Sequence, residues 1–132
     1  MPQNIYIFEC SNSTYMECIE RHVFGSNLPW PKRVAKGDSC ILHHYEVGAV
    51  FALWEAVDAG APNIVPKAWG GRFPFQVRVR LLTPEVIEVP KNLVAEIPID
   101  PATGRIQNII QPGGAESLLT QLKKLANQRV GL

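Results

Sequence analysis

The most regular pattern in the sequence is the alternation of side chains along residues 75–82. One face carries Phe75, Val77, Val79 and Leu81, and the other carries Gln76, Arg78, Arg80 and Leu82. Because successive side chains of a strand point to opposite faces, this period of two predicts a strand with one buried face. A continuous apolar run at residues 5–9 predicts another strand that is largely buried.

Two helices are predicted, one near each end of the chain. Thr14 and Glu17 have the T-x-x-E spacing of a capping box, in which each side chain satisfies a backbone amide at a helix start. That helix would place Ile19 and Val23 on one face and end at Gly25. A second helix is predicted at residues 116–129 by a helical stripe of apolar residues, namely Leu118, Leu119, Leu122, Leu125 and Ala126.

Between the helices the pattern predicts a hairpin and two loops. Residues 39–45 and 48–56 are strand-like runs with a two-residue separation, which is typical of a hairpin. Residues 25–33 and 61–71 contain prolines and glycines and place Trp30 and Trp69 in loops. Residues 85–99 are expected to be extended. The length of 132 residues suits one domain, so residues 1–132 are expected to form a single domain.

Composition is that of an ordinary globular protein. Hydrophobic residues make up 46% and charged residues 19% of the chain. No apolar run reaches the roughly 18 residues needed to cross a bilayer, and no signal peptide is apparent, so we expect no membrane partner and a cytoplasmic location. The net charge is only +1, but residues 67–80 hold four cations and no acid. One face is therefore expected to be positive.

The three cysteines and three histidines do not have the spacing of a metal site. Cys18 and His22 lie four residues apart on the predicted helix, but there is no C-x-x-C or H-x-x-x-H motif. Free cysteine is among the most frequently buried residue types when it serves only packing. We expect three free thiols, no bound metal and no cofactor.

No enzyme motif is present either. Ser13, Cys18, His43 and Asp38 could form a nucleophilic site on paper, but no nucleophile elbow, phosphate-binding glycine loop or dinucleotide fingerprint occurs. His43 and His44 are adjacent on a predicted strand and must point to opposite faces, so one is expected to be partly buried and the other solvated. A hydrolase built on either histidine remains the enzymatic alternative to a protein without catalytic activity.

Trp30 and Trp69 are the most distinctive candidate ligand-binding residues. Each is placed in a loop next to cations, which are Lys32, Arg33, Lys67 and Arg72. Aromatic planes beside cations can stack on a single-stranded or flipped base while neutralising its phosphates. The alternative is that the two tryptophans bind no ligand and only anchor their loops.

Several stretches together resemble the DCD domain family, named for development and cell death. They are YIFECSNSTYMECIERHVFG, LPW, CILHHY, GAVFALWEAVDAG and NIVPKAWGGRFPFQVRVR, in one order. The family's FGLP-like motif is interrupted here as FGSNLP, its LFLYNY-like strand is ILHHY, and its FPAQV-like strand is FPFQV. The resemblance runs from about Ile5 to Arg80. The PAYR-like motif of the family is missing, so the resemblance assigns no role to the C-terminal third.

More distantly, the order of a strand, a polar turn, a helix, a loop tryptophan, a hairpin and an AW-x-x-x-FP strand is similar to YTH and EVE domains. These belong to the PUA-like superfamily. The resemblance implies an α+β fold, a PUA-like twisted β-barrel with flanking helices, including a helix after the first strand and a C-terminal helix. YTH domains hold N6-methyladenine of RNA in an aromatic cage, and EVE domains are associated with modified bases.

The resemblance implies a non-enzymatic domain that recognises a modified, methylated base in RNA or in single-stranded or flipped DNA. Trp30 and Trp69 would be walls of the base pocket, and Ser11 and Asn12 would contact the base edge. Phosphates would be bound by Lys32, Arg33, Arg72, Arg78 and Arg80. The alternative is a protein–protein interaction module of a stress-response type, with an exposed apolar patch around Leu28, Pro29 and Trp30 as its interface.

Overall fold

The computed structural model describes residues 4–83, 86–89, 97, 102 and 106–130. Its α-helices are α1 (Tyr15–Arg21) and α2 (Pro112–Val130), and its 3-10 helices are Trp30–Arg33 and Ala68–Gly71. Its strands are β1 (Ile5–Cys10), β2 (Val23–Ser26), β3 (Ser39–His44), β4 (Ala49–Ala56), β5 (Ala61–Pro62), β6 (Phe75–Leu81), β7 (Ile87–Val89) and β8 (Ile109–Ile110). Within the described residues, neither helix is long and apolar enough to cross a membrane.

The strands form a mixed sheet in the order β2-β6-β4-β3-β1-β8, with β5 paired to β6 and β7 to β4. β1 runs parallel to β3, while β3 and β4 form the predicted antiparallel hairpin. The predicted α+β class and both helices are confirmed. The predicted twisted β-barrel is not closed, because in the described part of the chain the end strands β2 and β8 do not pair with each other. The sheet is twisted and open.

The two faces of the sheet cover two apolar clusters, and β1 contributes to both by alternation. Ile5 and Ile7 belong to the cluster that also contains Leu118 and Leu122 of α2. Tyr6, Phe8 and Cys10 belong to the other cluster, with Cys18 of α1 and Trp54 of β4. The predicted apolar stripe of the C-terminal helix therefore packs on one face, and α1 packs on the other.

Residues 108–110 lie along the edge of β1 that does not face β3. Ile5 pairs with Ile110 in antiparallel register. The Ile7 amide donates a hydrogen bond to the Asn108 carbonyl at 2.7 Å, and Asn108 Nδ2 donates one to the Ile7 carbonyl at 2.8 Å. Part of the predicted extended segment 85–99 is strand β7, and most of the rest lies outside the described residues.

Helix α1 begins as predicted but without the capping box. Thr14 is the N-cap residue, yet its side chain makes no cap bond. The Thr14 hydroxyl instead accepts a hydrogen bond from the Ser11 amide at 2.8 Å, and the Glu17 carboxylate accepts one from the backbone amide of Trp69. Tertiary contacts have thus replaced the local cap, and Glu17 ties the 3-10 helix at Trp69 to α1.

The same helix ends before the predicted Gly25. Its last residue is Arg21, and His22 adopts a left-handed conformation with φ of 52°. This turn lets Val23 begin strand β2, which pairs with β6. The helical spacing of Ile19 and Val23 was therefore misleading, because Val23 is buried as a strand residue.

Strand β6 agrees with the predicted alternation except at Gln76. Gln76 was assigned to the polar face but is only 1% exposed. Its Oε1 accepts a hydrogen bond from the Val65 amide at 2.6 Å, and its Nε2 donates to the carbonyls of Val65 and Phe73, both at 3.1 Å. A buried carboxamide is stable when it is satisfied in this way, and here it fastens the loop that precedes β6.

Candidate functional site

An open cleft of about 250 Å³ lies where the end of β1 faces the loop that follows β2. Its lining comes from residues 9–11 and 14, residues 25–28 and 30, and the single residues Tyr45, Phe73 and Asn108. These segments are far apart in sequence, and the sheet brings them together. The cleft combines aromatic and apolar walls with several polar groups, which is typical of a small-molecule or base pocket.

Trp30 is a half-buried wall of this cleft. Its ring stacks on Tyr6 with an interplanar angle of 3° at 6.2 Å, and packs against Phe8 at 4.6 Å between ring centroids. The Tyr6 hydroxyl donates a hydrogen bond to the Arg33 carbonyl at 3.2 Å, which ties the 3-10 helix to β1. Two buried aromatic side chains of β1 therefore hold the indole in a fixed orientation.

Trp69 lies behind the cleft. It is only 4% exposed, and its indole Nε1 donates a hydrogen bond to the Thr14 carbonyl at 3.1 Å. The predicted role of Trp69 as a wall of the base pocket does not fit this position, because its backbone is left-handed with φ of 51° and its indole packs in the core. Trp69 does not line the cleft. Its ring packs edge-on against Phe73, which does line it.

Gly25 makes this packing possible. A Cβ atom at Gly25 would lie 2.6 Å from Cζ3 of Trp69 and 3.2 Å from Cβ of Phe73. No side chain larger than a hydrogen fits at such a distance without a shift of its neighbours. Gly25, Trp69 and Phe73 thus form a packed unit whose outer residues, Gly25 and Phe73, line the cleft.

The polar turn after β1 contributes Ser11 but directs Asn12 away. Ser11 lines the cleft, and its hydroxyl lies 2.9 Å from the Ser13 hydroxyl and 3.3 Å from that of Thr14. The backbone amide and Nδ2 of Asn12 both donate to the Glu46 carboxylate at 3.0 Å. The structure therefore brings Ser11 and Trp30 together, while Asn12 and Trp69 lie outside the lining.

The predicted phosphate ligands are divided between two places. Lys32 and Arg33 are exposed on the 3-10 helix that begins with Trp30. Arg72 is exposed next to Phe73, with its guanidinium carbon 5.6 Å from the centroid of that ring. Arg78 and Arg80 are exposed on β6 and do not line the cleft, and Arg80 forms an ion pair with Glu55 at 2.8 Å.

Four residues of the lining were not predicted as ligand-binding residues from the sequence. Tyr45 and Asn27 occupy turns, Phe73 begins the FPFQV segment, and Asn108 lies in the C-terminal third. Phe73 could have been found from its place next to Arg72, which is the same pairing of an aromatic ring and a cation seen at Trp30. Asn108 could not, because only the pairing of β8 with β1 brings it to the cleft.

The three cysteines are buried, and so are His43 and His44, whereas His22 is exposed. Burial raises the pKa of the Cys18 thiol to about 12 and raises that of Cys10, which lines the cleft, even further. Within the described residues, no group of three or more potential ligands is placed to hold a metal ion. The expectation that one of His43 and His44 is solvated was wrong: they are 8% and 5% exposed, because β3 is an inner strand with clusters on both faces.

Comparison with known structures identifies the fold. The YTH domain of mmi1, solved in complex with RNA, superposes with a TM-score of 0.74 at 11% identity, covering 98% of this chain and 87% of that one. The YTH domain of the Zygosaccharomyces rouxii MRB1 protein, solved in complex with N6-methyladenosine RNA, gives a TM-score of 0.60 at 15% identity, covering 92% of this chain and 87% of that one. The predicted fold resemblance to YTH domains is confirmed.

Sequence comparison identifies the family. The DCD domain-containing protein NRP-B of Glycine max is 36% identical in an alignment 86 residues long that covers 56% of this chain and 26% of that protein. The chain thus spans about a quarter of the length of that relative. The model of the development and cell death domain matches residues 4–93, which is more than half of the chain. The chain is therefore a member of the development and cell death domain family.

Proposed function

We propose that the chain binds single-stranded or flipped nucleic acid and recognises a methylated base in the cleft beside Trp30, without chemical catalysis. The observation that carries the proposal is the fixed indole of Trp30, which is stacked on Tyr6 and lines a cleft together with Ser11 and Phe73. A ring held in this way can stack on a base with little loss of conformational entropy.

The chemistry of the cleft suits a methylated base. Methylation of an exocyclic nitrogen adds an apolar group, which gains free energy when aromatic and aliphatic walls remove it from water. Trp30 and Phe73 supply aromatic walls, and Leu28 and Tyr45, each 56% exposed, stand at the rim. These two exposed apolar side chains would become covered when a ligand enters.

Cations beside the aromatic walls support a nucleic-acid ligand. Lys32 and Arg33 follow Trp30, and Arg72 precedes Phe73, so the flanking phosphates of an inserted base would find positive charge on two sides. Arg78 remains a predicted backbone contact. The charge of Arg80 is offset by Glu55, so its contribution is expected to be smaller. RNA complexes of YTH domains that share the fold favour RNA as the ligand.

The test is a fluorescence titration with short single strands that contain N6-methyladenine, 5-methylcytosine or no modification. Trp54 and Trp69 are 1% and 4% exposed, so stacking at the cleft should change mainly the emission of Trp30. We expect quenching that is stronger for one methylated strand. Trp30→Ala should abolish the discrimination, whereas Trp30→Phe, which keeps an aromatic plane, should retain part of it.

A charge control separates backbone contact from base recognition. Lys32→Ala should weaken binding of all strands alike and reduce the salt dependence of the affinity. Lys123→Ala removes a cation that is also exposed, from α2, which packs on the other face of the sheet, and should have little effect. No response to any strand at low salt would refute the proposal and favour the protein-interaction alternative, with Leu28, Pro29 and Trp30 as the interface.

A further inference from the structure

Asn108 is a lining residue that the family match does not cover. The family model ends at residue 93, whereas Asn108 lies in the segment that pairs with the edge of β1. Its backbone carbonyl accepts a hydrogen bond from the Ile7 amide at 2.7 Å, and its side chain returns to the Ile7 carbonyl at 2.8 Å. Asn108 is therefore fixed to a buried strand by two hydrogen bonds, one from its backbone and one from its side chain. It also lines the cleft.

The partner of the side chain fixes which way its amide faces. A carbonyl oxygen can only accept, so the NH2 group of Asn108 must point to Ile7 and the Oδ1 atom must point away from it. Among the described residues, Oδ1 has no hydrogen-bond partner of its own, and one N–H of Nδ2 is also unused. The Asn108 carboxamide thus retains an oriented acceptor in a residue that lines the cleft.

The Oδ1 atom selects ligands by their donors, because a carbonyl oxygen accepts hydrogen bonds but does not donate them. Ligand edges that present N–H donors match this acceptor, whereas edges that present only carbonyl oxygens or N-methyl groups leave it unsatisfied. Among nucleobases, adenine, cytosine and guanine carry such donors as exocyclic amino groups.

We infer that Asn108 determines specificity, accepting a hydrogen bond from an exocyclic amino group that still carries at least one N–H. The inference rests on the proposed function and narrows it to a ligand class: the cleft takes a base whose exocyclic amino group is unmodified or monomethylated, and rejects the dimethylated form. The methyl group then lies against the apolar walls while the remaining N–H faces Asn108. The segment beyond the family match therefore completes the site.

The experiment compares strands that differ only in one base, which is adenine, N6-methyladenine or N6,N6-dimethyladenine. One lost hydrogen bond to Asn108 Oδ1 should weaken binding of the dimethylated strand about tenfold relative to the monomethylated one in the wild type. In Asn108→Ala the ratio should fall to near one, because the acceptor is gone. Lys123→Ala serves as the control, since it alters an exposed residue of α2 on the other face of the sheet and should keep the ratio.

Each outcome has a separate meaning. Absence of binding to every strand would overturn the proposed function itself. Binding of the monomethylated strand with equal affinity for the dimethylated one, or an unchanged ratio in Asn108→Ala, would overturn the role of Asn108 alone. Asn108→Ser, which keeps a donor for the Ile7 carbonyl, replaces Asn108→Ala if that variant has lost its native thermal transition.

Discussion

Substitution of Gly25 by alanine tests the packed unit behind the cleft. The added Cβ would lie 2.6 Å from Cζ3 and 3.0 Å from Cη2 of Trp69. The indole cannot easily move away, because it is 4% exposed and its Nε1 is bonded to the Thr14 carbonyl at 3.1 Å. Overpacking of a rigid core in this way costs about 1 to 3 kcal/mol. For a chain of this size the melting temperature should fall by about 4 to 12 °C.

The assay is thermal and urea unfolding of Gly25→Ala, Trp69→Phe and the double variant. Trp69→Phe removes the ring atoms that the new Cβ would meet, so Gly25→Ala should cost at least about 1 kcal/mol less in that background. Gly114→Ala is the control for the methyl group itself, because its Cβ would meet only Ile110 Cγ2, at 3.3 Å, and a shift within about 1 kcal/mol is expected. An unchanged melting temperature in Gly25→Ala, or the same loss in both backgrounds, would refute the reasoning.

Three further predictions concern buried polar groups. Gln76→Leu leaves the polar backbone atoms at Val65 and Phe73 unsatisfied and should lower the free energy of unfolding by about 2 to 4 kcal/mol in urea titrations; a loss below about 0.5 kcal/mol would contradict the role of Gln76. Burial, followed by the charge of the nearby His44, lowers the pKa of His43 in the folded protein. As the pH drops, His43 is therefore protonated in the unfolded chain before it is protonated in the folded one. The contribution of His43 to stability should be complete above about pH 6.5 and fall as the pH drops below that value. His43→Leu should reduce the difference in unfolding free energy between pH 8 and pH 5, and an unreduced difference would assign the acid loss to other groups. Cys18, 3% exposed and with its pKa raised to about 12, should react with iodoacetamide at pH 8 only under unfolding conditions, whereas rapid labelling of the native protein would show that α1 opens readily.

The elements with strong local patterns could be predicted from the sequence. A regular period or an apolar run predicted three elements, and the folded structure keeps them: strand β6, the β3–β4 hairpin and helix α2. Val23 is the opposite case. Its spacing from Ile19 predicts a helical residue, but the pairing of β2 with β6 places it in a strand. The capping box was similarly replaced, because the Glu17 carboxylate bonds to Trp69, which is far away in sequence.

The site could be predicted only in part. Trp30 and Ser11 were expected and do line the cleft. Trp69 was placed wrongly, because sequence patterns do not show that a nonglycine residue will adopt a left-handed backbone and turn its ring inward. Asn108 was missed because its position depends on a long-range antiparallel pair, for which the short β8 gives no periodic signal.

The most direct test of the central claim is an NMR titration of the ¹⁵N-labelled protein with a short RNA that contains one N6-methyladenine. The indole N–H signals of the three tryptophans report separately on the cleft wall, on Trp69 behind it and on the core residue Trp54. Base stacking in the cleft predicts a large shift of the Trp30 signal, little change at Trp54, and a smaller response to the unmethylated strand. An unmoved Trp30 signal at saturating RNA would contradict the claim that this cleft binds a base.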